Sequence, residues 1–130
     1  MQVQQLIQLQ TKFQTHQDLQ ILSLNGGADL CYYDGTNGNV ESADGTNTAV
    51  KAETLVANTA VKVGVIYGDS KLRVNIDGVW GTEGIYDGAF PTGTVLELFN
   101  DHGHSGLMRN LKRYDLGYDD SKTKIEELMV

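Results

Sequence analysis

Cysteine and proline are nearly absent, with one of each in 130 residues. A lone cysteine cannot close an intrachain disulfide, so the fold has to stand on its apolar core. A single domain of this length can do so, because it buries roughly two thirds of its unfolded surface. Cys31, between Leu30 and Tyr32 in a strand-like run, reads as a small buried hydrophobe rather than a nucleophile. Positive charge is also scarce: 10 Lys and Arg stand against 17 Asp and Glu, for a net charge of −7. An acidic surface disfavours nucleic acid and anionic membranes as partners. No apolar run reaches the length of a membrane span. The opening Met1-Gln2-Val3-Gln4-Gln5 lacks the charged and apolar regions of a secretory signal, so none is expected.

Glycine, by contrast, is plentiful at 15 residues, and it punctuates the chain. Asn25-Gly26-Gly27, Asp34-Gly35-Thr36-Asn37-Gly38, Asp44-Gly45-Thr46-Asn47 and Gly68-Asp69-Ser70 are turn signals about ten residues apart. Between them lie strand-like runs: Leu19 to Leu24, Ala28 to Asp34, Val40 to Ala43, Ala49 to Val56, Val61 to Tyr67 and Leu72 to Asp77. Alternation is clearest at Val61, Val63, Val65 and Tyr67 and at Leu72, Val74 and Ile76. This spacing predicts an all-β sandwich. The first fourteen residues hold six glutamines and fit strand or helix; strand from about Leu6 to Gln14 is preferred, after a Gln-rich lead-in over 1–12. Residues 78–94 are a Gly-rich loop region carrying Trp80, Ile85, Tyr86 and Phe90, with strand resuming from Val95 to Phe99.

The closing segment organises the rest. Met108, Leu111 and Tyr114 recur every third residue, which suits a strand with a bulge that re-aims its side chains. Ile125, Leu128 and Met129 then fall on one face of a short helix that Asp120 or Ser121 can cap. Gly106, the aliphatic residues after it, Tyr114-Asp115 and the terminal Glu126-Glu127-Leu128 resemble the end of laminin-G-like, concanavalin A-like jelly rolls. Lys71 to Asp77-Gly78, an alternating strand ending in Asp-Gly, resembles that family's strand-then-turn signature, and Phe13-Gln14-Thr15 and Leu22-Ser23-Leu24 extend the likeness. The resemblance implies a single antiparallel β-sandwich (jelly roll) over 1–130 with a short C-terminal helix. It also implies the roles of that family: lectin-like modules and bacteriophage virion proteins.

Several constellations bear on chemistry. His102 and His104, beside Asn100 and Asp101, suggest a transition metal, but no third ligand is near in sequence and a polar loop is the simpler reading. Relatives of the resembled fold hold calcium at a loop edge through Asp and Asn oxygens, which points to Asp34, Asn37, Asn39 and Asp44. Their spacing departs from the calcium-loop pattern, and tight turns need the same residues. Glucanases of the same fold class flank an Asp with two Glu on one strand; here Glu97 stands alone in its strand and Glu126-Glu127 lie on the helix. No Gly-x-Ser-x-Gly elbow surrounds a serine, and Ser105 merely follows His104. The expectation is therefore that the chain is not an enzyme and carries no cofactor, calcium being the one candidate.

Binding or assembly is left. Trp80, Tyr86 and Phe90 would form an aromatic platform for a sugar ring, with Asp87, Asn100, Asp101 and His102 to bond its hydroxyls. Burial of Trp80 and Phe90 as plugs of the core end is the competing view. The resembled domains carry strand material ahead of the Phe-x-Thr strand, which suggests an open sheet edge in residues 1–20 completed by a partner or a second copy. The leading expectation is a phage-type virion structural or decoration protein on a capsid or tail surface, binding other virion proteins and host glycans. A free carbohydrate-binding module is the alternative.

Overall fold

In a computed structural model of the chain, the described residues are 3–11, 19–24, 28–44, 46–56, 59–68, 70–86, 96–98 and 106–130. Their elements, in chain order, are β1 (Val3–Thr11), β2 (Leu19–Leu24), β3 (Ala28–Asp34), β4 (Asn39–Ala43), β5 (Thr48–Ala52), β6 (Ala60–Gly68), β7 (Lys71–Ile76), β8 (Val79–Trp80), β9 (Gly84–Ile85), β10 (Leu96–Leu98), β11 (Gly106–Tyr114) and α1 (Tyr118–Leu128). Every strand pairing is antiparallel. One sheet runs β11-β1-β6-β7-β8, with β9 also on β7; the other runs β10-β2-β3-β4-β5. An all-β antiparallel chain closed by one short helix is what alternation and turn spacing predicted.

The alternating residues of β6 and β7 line one sheet face, because Val63 pairs with Ile76, Val65 with Val74 and Tyr67 with Leu72. All six are buried, in one cluster with Ile21, Cys31, Tyr33, Val40 and Ala49 of the other sheet and with Leu55 and Tyr86. Each of the Val, Leu and Ile side chains among them stabilises the fold by about 1.5–3 kcal/mol on burial. Two sheets thus share one apolar core.

The turns work as their residues dictate. Asp77 (φ 50°) and Gly78 (φ 93°) both adopt left-handed backbone between β7 and β8, the requirement of a two-residue hairpin that Asp-Gly satisfies. β5 ends at Ala52, four residues short of the Val56 expected. The chain is diverted where the Glu53 N–H bonds the Gly38 carbonyl at 2.9 Å, and Leu55 then enters the core with its N–H 3.3 Å from the Tyr33 hydroxyl.

The Gln-rich start is strand, β1, and it is internal: β11 pairs on one side and β6 on the other. Among the described residues the open edge expected in residues 1–20 is therefore not there, since β2 too has neighbours on both sides. Sheet context has overridden the weak strand preference of glutamine. β11 does carry a bulge. Leu6 pairs with Lys112 and Gln8 with Arg109, so Asn110 and Leu111 stand opposite Ile7 alone.

Helix α1 begins earlier than its expected caps. Gly117 is the N-cap, with no side-chain cap, and Asp119 and Asp120 sit in the first turn where the helix dipole favours carboxylates. Ser121 is buried one turn in, its N–H on the Gly117 carbonyl at 2.8 Å. The helix seats on β6 at a notch, Gly64, where a β-carbon would stand 2.9 Å from Ile125 Cγ2 and 3.0 Å from Met129 Cε. Ile125 is fully buried there but outside the inter-sheet core cluster. Ile125→Val is expected to cost about 1 kcal/mol in urea unfolding; no measurable loss would mean the helix is not docked.

Candidate functional site

Among the described residues, a group of polar and aromatic side chains lies where α1 meets the strand β7. On β7, Leu72, Val74 and Ile76 enter the core, so Lys71, Arg73 and Asn75 project from the opposite face, the side on which α1 packs. The Arg73 guanidinium lies over the Trp80 ring, 5.1 Å from its centroid, and its Nε donates to the Gly81 carbonyl at 3.0 Å. Its Nη1 is 3.5 Å from the Tyr118 hydroxyl. That hydroxyl donates to Glu83 Oε2 at 2.6 Å, while Lys71 Nζ holds Glu83 Oε1 at 2.6 Å. Trp80 Nε1 donates to Glu126 Oε1 of the helix at 2.9 Å. Lys122 adds its ammonium 5.9 Å from the Tyr118 ring centroid.

Charge follows from these contacts. The Lys71 and Tyr118 hydrogen bonds hold the Glu83 carboxyl below the ordinary glutamate range, and Glu83 in turn raises Lys71. Burial first, then the carboxylate of Glu83, pushes the Tyr118 phenol up, so it stays protonated at neutral pH and acts as a donor. The Lys71 and Glu83 side chains remain about 40% exposed. The group is thus a fixed array of donors, acceptors and one indole, open to solvent on its Glu83 side.

Of the two described residues expected to bind a ligand, Trp80 joins this group, half-buried rather than free. Tyr86 is in the core at 8% exposure, its hydroxyl buried without a partner among the described residues and its ring offering no face to a sugar. The reason is alternation: Ile85, its neighbour, points out at 63% exposure, which turns Tyr86 inward. Burial, then the nearby charge of Asp44, raises the Tyr86 phenol. Asp87, Phe90, Asn100, Asp101, His102, His104 and Ser105 lie outside the described residues. Arg73, Glu83, Tyr118 and Glu126 went unnoticed as site residues in the sequence, where Trp80 and Glu126 are 46 positions apart.

The four calcium candidates do not assemble. Asp34, Asn37 and Asn39 flank one end of β4, and Asp44 follows its other end, roughly 15 Å away for a five-residue strand. Both carboxylates are engaged by their own turns. Asp34 Oδ1 accepts the Thr36 and Asn37 N–H groups at 3.0 Å each, and Oδ2 accepts Asn37 Nδ2 at 2.6 Å. Asp44 repeats this with Thr46 at 2.8 Å, Asn47 at 2.6 Å and Asn47 Nδ2 at 3.2 Å. The signal was legible: Asp-Gly-Thr-Asn occurs twice, at 34–37 and 44–47, and the pattern builds the same turn. These bonds, Asn37 foremost, hold the Asp34 carboxyl low. The donor set does not fit calcium. Among the described residues no group of three His, Cys, Asp or Glu could hold a metal.

Cys31 is fully buried, and burial pushes its thiol up to about 12. It is expected to resist a disulfide-exchange reagent at pH 8 in the folded protein and to react at once in denaturant, because the thiolate is the reactive form. Comparable rates in both would contradict its place in the core. Among the described residues no helix is long and apolar enough to cross a membrane.

No protein-family model matches the chain. No curated protein matches it either. Solved structures do. A mutant of Trypanosoma rangeli sialidase displaying trans-sialidase activity aligns with a TM-score of 0.62 at 15% identity, over 98% of this chain and 22% of that one. Trypanosoma rangeli sialidase in complex with 2,3-difluoro-KDN aligns with a TM-score of 0.60 at 13% identity, over the same shares. The chain thus spans about a fifth of the length of those proteins, and at this identity the likeness is one of fold. The expectation that the chain is not an enzyme, which rested on missing motifs, is corrected by it: the same backbone arrangement recurs inside chains described as a sialidase and a trans-sialidase. Scanning for motifs along the sequence could not exclude catalysis, since residues distant in sequence, such as Glu83 and Tyr118, meet only in space.

Proposed function

We propose that this chain is a lectin-like, glycan-binding domain, a β-sandwich of the jelly-roll, concanavalin A-like kind. The observation that carries the reading is the alignment of 98% of the chain with about a fifth of a sialidase, one structure of which is described in complex with a nononic acid derivative. The sandwich is supported by the one core that both sheets feed and by the passage of the chain between sheets after β1, β5, β9 and β10. Sugar contact falls to the Arg73, Trp80, Glu83 and Tyr118 group. Planar side chains that pair with vicinal hydroxyls, beside an indole, are what a glycan surface uses.

The assembly that displays the domain is, on the sequence resemblance, a virion surface, and co-purification with particles tests that part. For the glycan site, the test is an array that includes sialylated glycans, followed by titration of each hit. The parent protein is expected to bind at least one class. Glu83→Gln and Trp80→Phe, which keeps a smaller aromatic face and loses the indole Nε1 donor, are expected to weaken binding at least tenfold with little change in melting temperature. A parent that binds no glycan overturns the reading, and turnover of a sialoside by the chain would replace binding with catalysis.

A further inference from the structure

The two sheets present four flanks, and most are blunted. β8 and β9 are two residues each and β10 is three, too short to template a partner. The β5 flank is covered where the Thr82 N–H bonds the Val50 carbonyl at 3.1 Å. β11 is different: it has nine residues and stands at the end of its sheet, and among the described residues no strand pairs with its far side.

Its composition is also unlike the chain as a whole. β11 holds Arg109, Lys112 and Arg113 and no acidic residue, in a protein of net charge −7. Lys124 of α1, ion-paired with Glu127 at 3.5 Å, lies 5.5 Å from the Tyr114 ring centroid at the end of the same strand. Two copies pairing β11 to β11 would set cations against cations, which disfavours a second copy as occupant. The bulge at Asn110 and Leu111 interrupts the flank, so the stretches on offer are short ones on either side of it.

We propose that β11 is a strand-addition site for an extended, acidic segment of another protein. Main-chain hydrogen bonds to the open flank supply the docking, and the cations select acidic side chains. β1 and β6 lie between β11 and β7, the strand that carries Arg73, and this inference does not rest on the glycan reading.

The probe is a capped ten-residue peptide alternating threonine and glutamate, added to the full chain and followed by residue-resolved amide exchange. Alternate amides of β11 are expected to slow at least tenfold, and the effect should weaken at high salt. The same peptide N-methylated at alternate residues, and a threonine–lysine peptide, should give no protection. Lys112→Glu combined with Arg113→Glu is expected to weaken binding at least tenfold while leaving the melting temperature in place. No protection by the acidic peptide overturns the proposal. So does equal binding of the N-methylated peptide, or a concentration-dependent dimer that protects β11.

Discussion

Tyr33→Ala is expected to lower the free energy of unfolding by about 5 kcal/mol, close to the whole stability of a marginal domain. The ring is fully buried in the core shared by the two sheets. Its hydroxyl also accepts the Leu55 N–H, and Leu55 is 1% exposed. Removing the ring therefore opens a large cavity and strands a buried donor at once. Tyr33→Phe separates the two effects and should cost about 1 kcal/mol. Urea unfolding followed by tryptophan fluorescence reads both. A loss below about 2 kcal/mol for the alanine variant would mean that the ring does not bridge the sheets.

Gly81→Ala is the second large effect. A β-carbon there would meet the Val50 carbonyl oxygen and would lie 2.8 Å from Lys51 Cβ and 2.9 Å from Lys51 Cα. These are atoms of β5, not the ends of flexible side chains, so the 81–82 segment has to move away. That movement breaks the Thr82 to Val50 bond and shifts the carbonyl on which Arg73 Nε rests. The expected cost is about 3 kcal/mol, or a fall of roughly 10 °C in melting temperature. Gly84→Ala is the control, because its β-carbon would meet Ala49 Cβ at 3.1 Å, a contact that small adjustments relieve. Equal melting temperatures for Gly81→Ala and the parent would contradict the close approach of that segment to β5.

Much of the fold was written in local signals. Period-two valines fixed β6 and β7, Asp77-Gly78 fixed their following hairpin, and the three-residue spacing of Met108, Leu111 and Tyr114 foretold the bulge in β11. Non-local facts were not legible. Nothing near Gln4 to Gln10 states that this strand lies between β6 and β11, because pairing partners tens of residues apart leave no mark on periodicity. The site fared worse for the same reason. Trp80 was visible as a lone indole in a Gly-rich stretch, but its partners Arg73 and Glu126 come from a strand and a helix on either side of it in the chain. Tyr86 was taken as exposed because it sits among glycines; one residue of strand phase decided otherwise. The exclusion of enzymatic chemistry rested on motifs with fixed spacing, and the likeness to sialidase chains removed that ground.

Both sheets feed a single core, and β4 of one comes near β7 of the other. Nuclear Overhauser contacts between the methyls of Val40 and those of Leu72 or Val74 test this most directly. All three residues are fully buried in the same cluster, and strong cross-peaks are predicted. A complete set of methyl assignments without a cross-peak between the two sheets would contradict it.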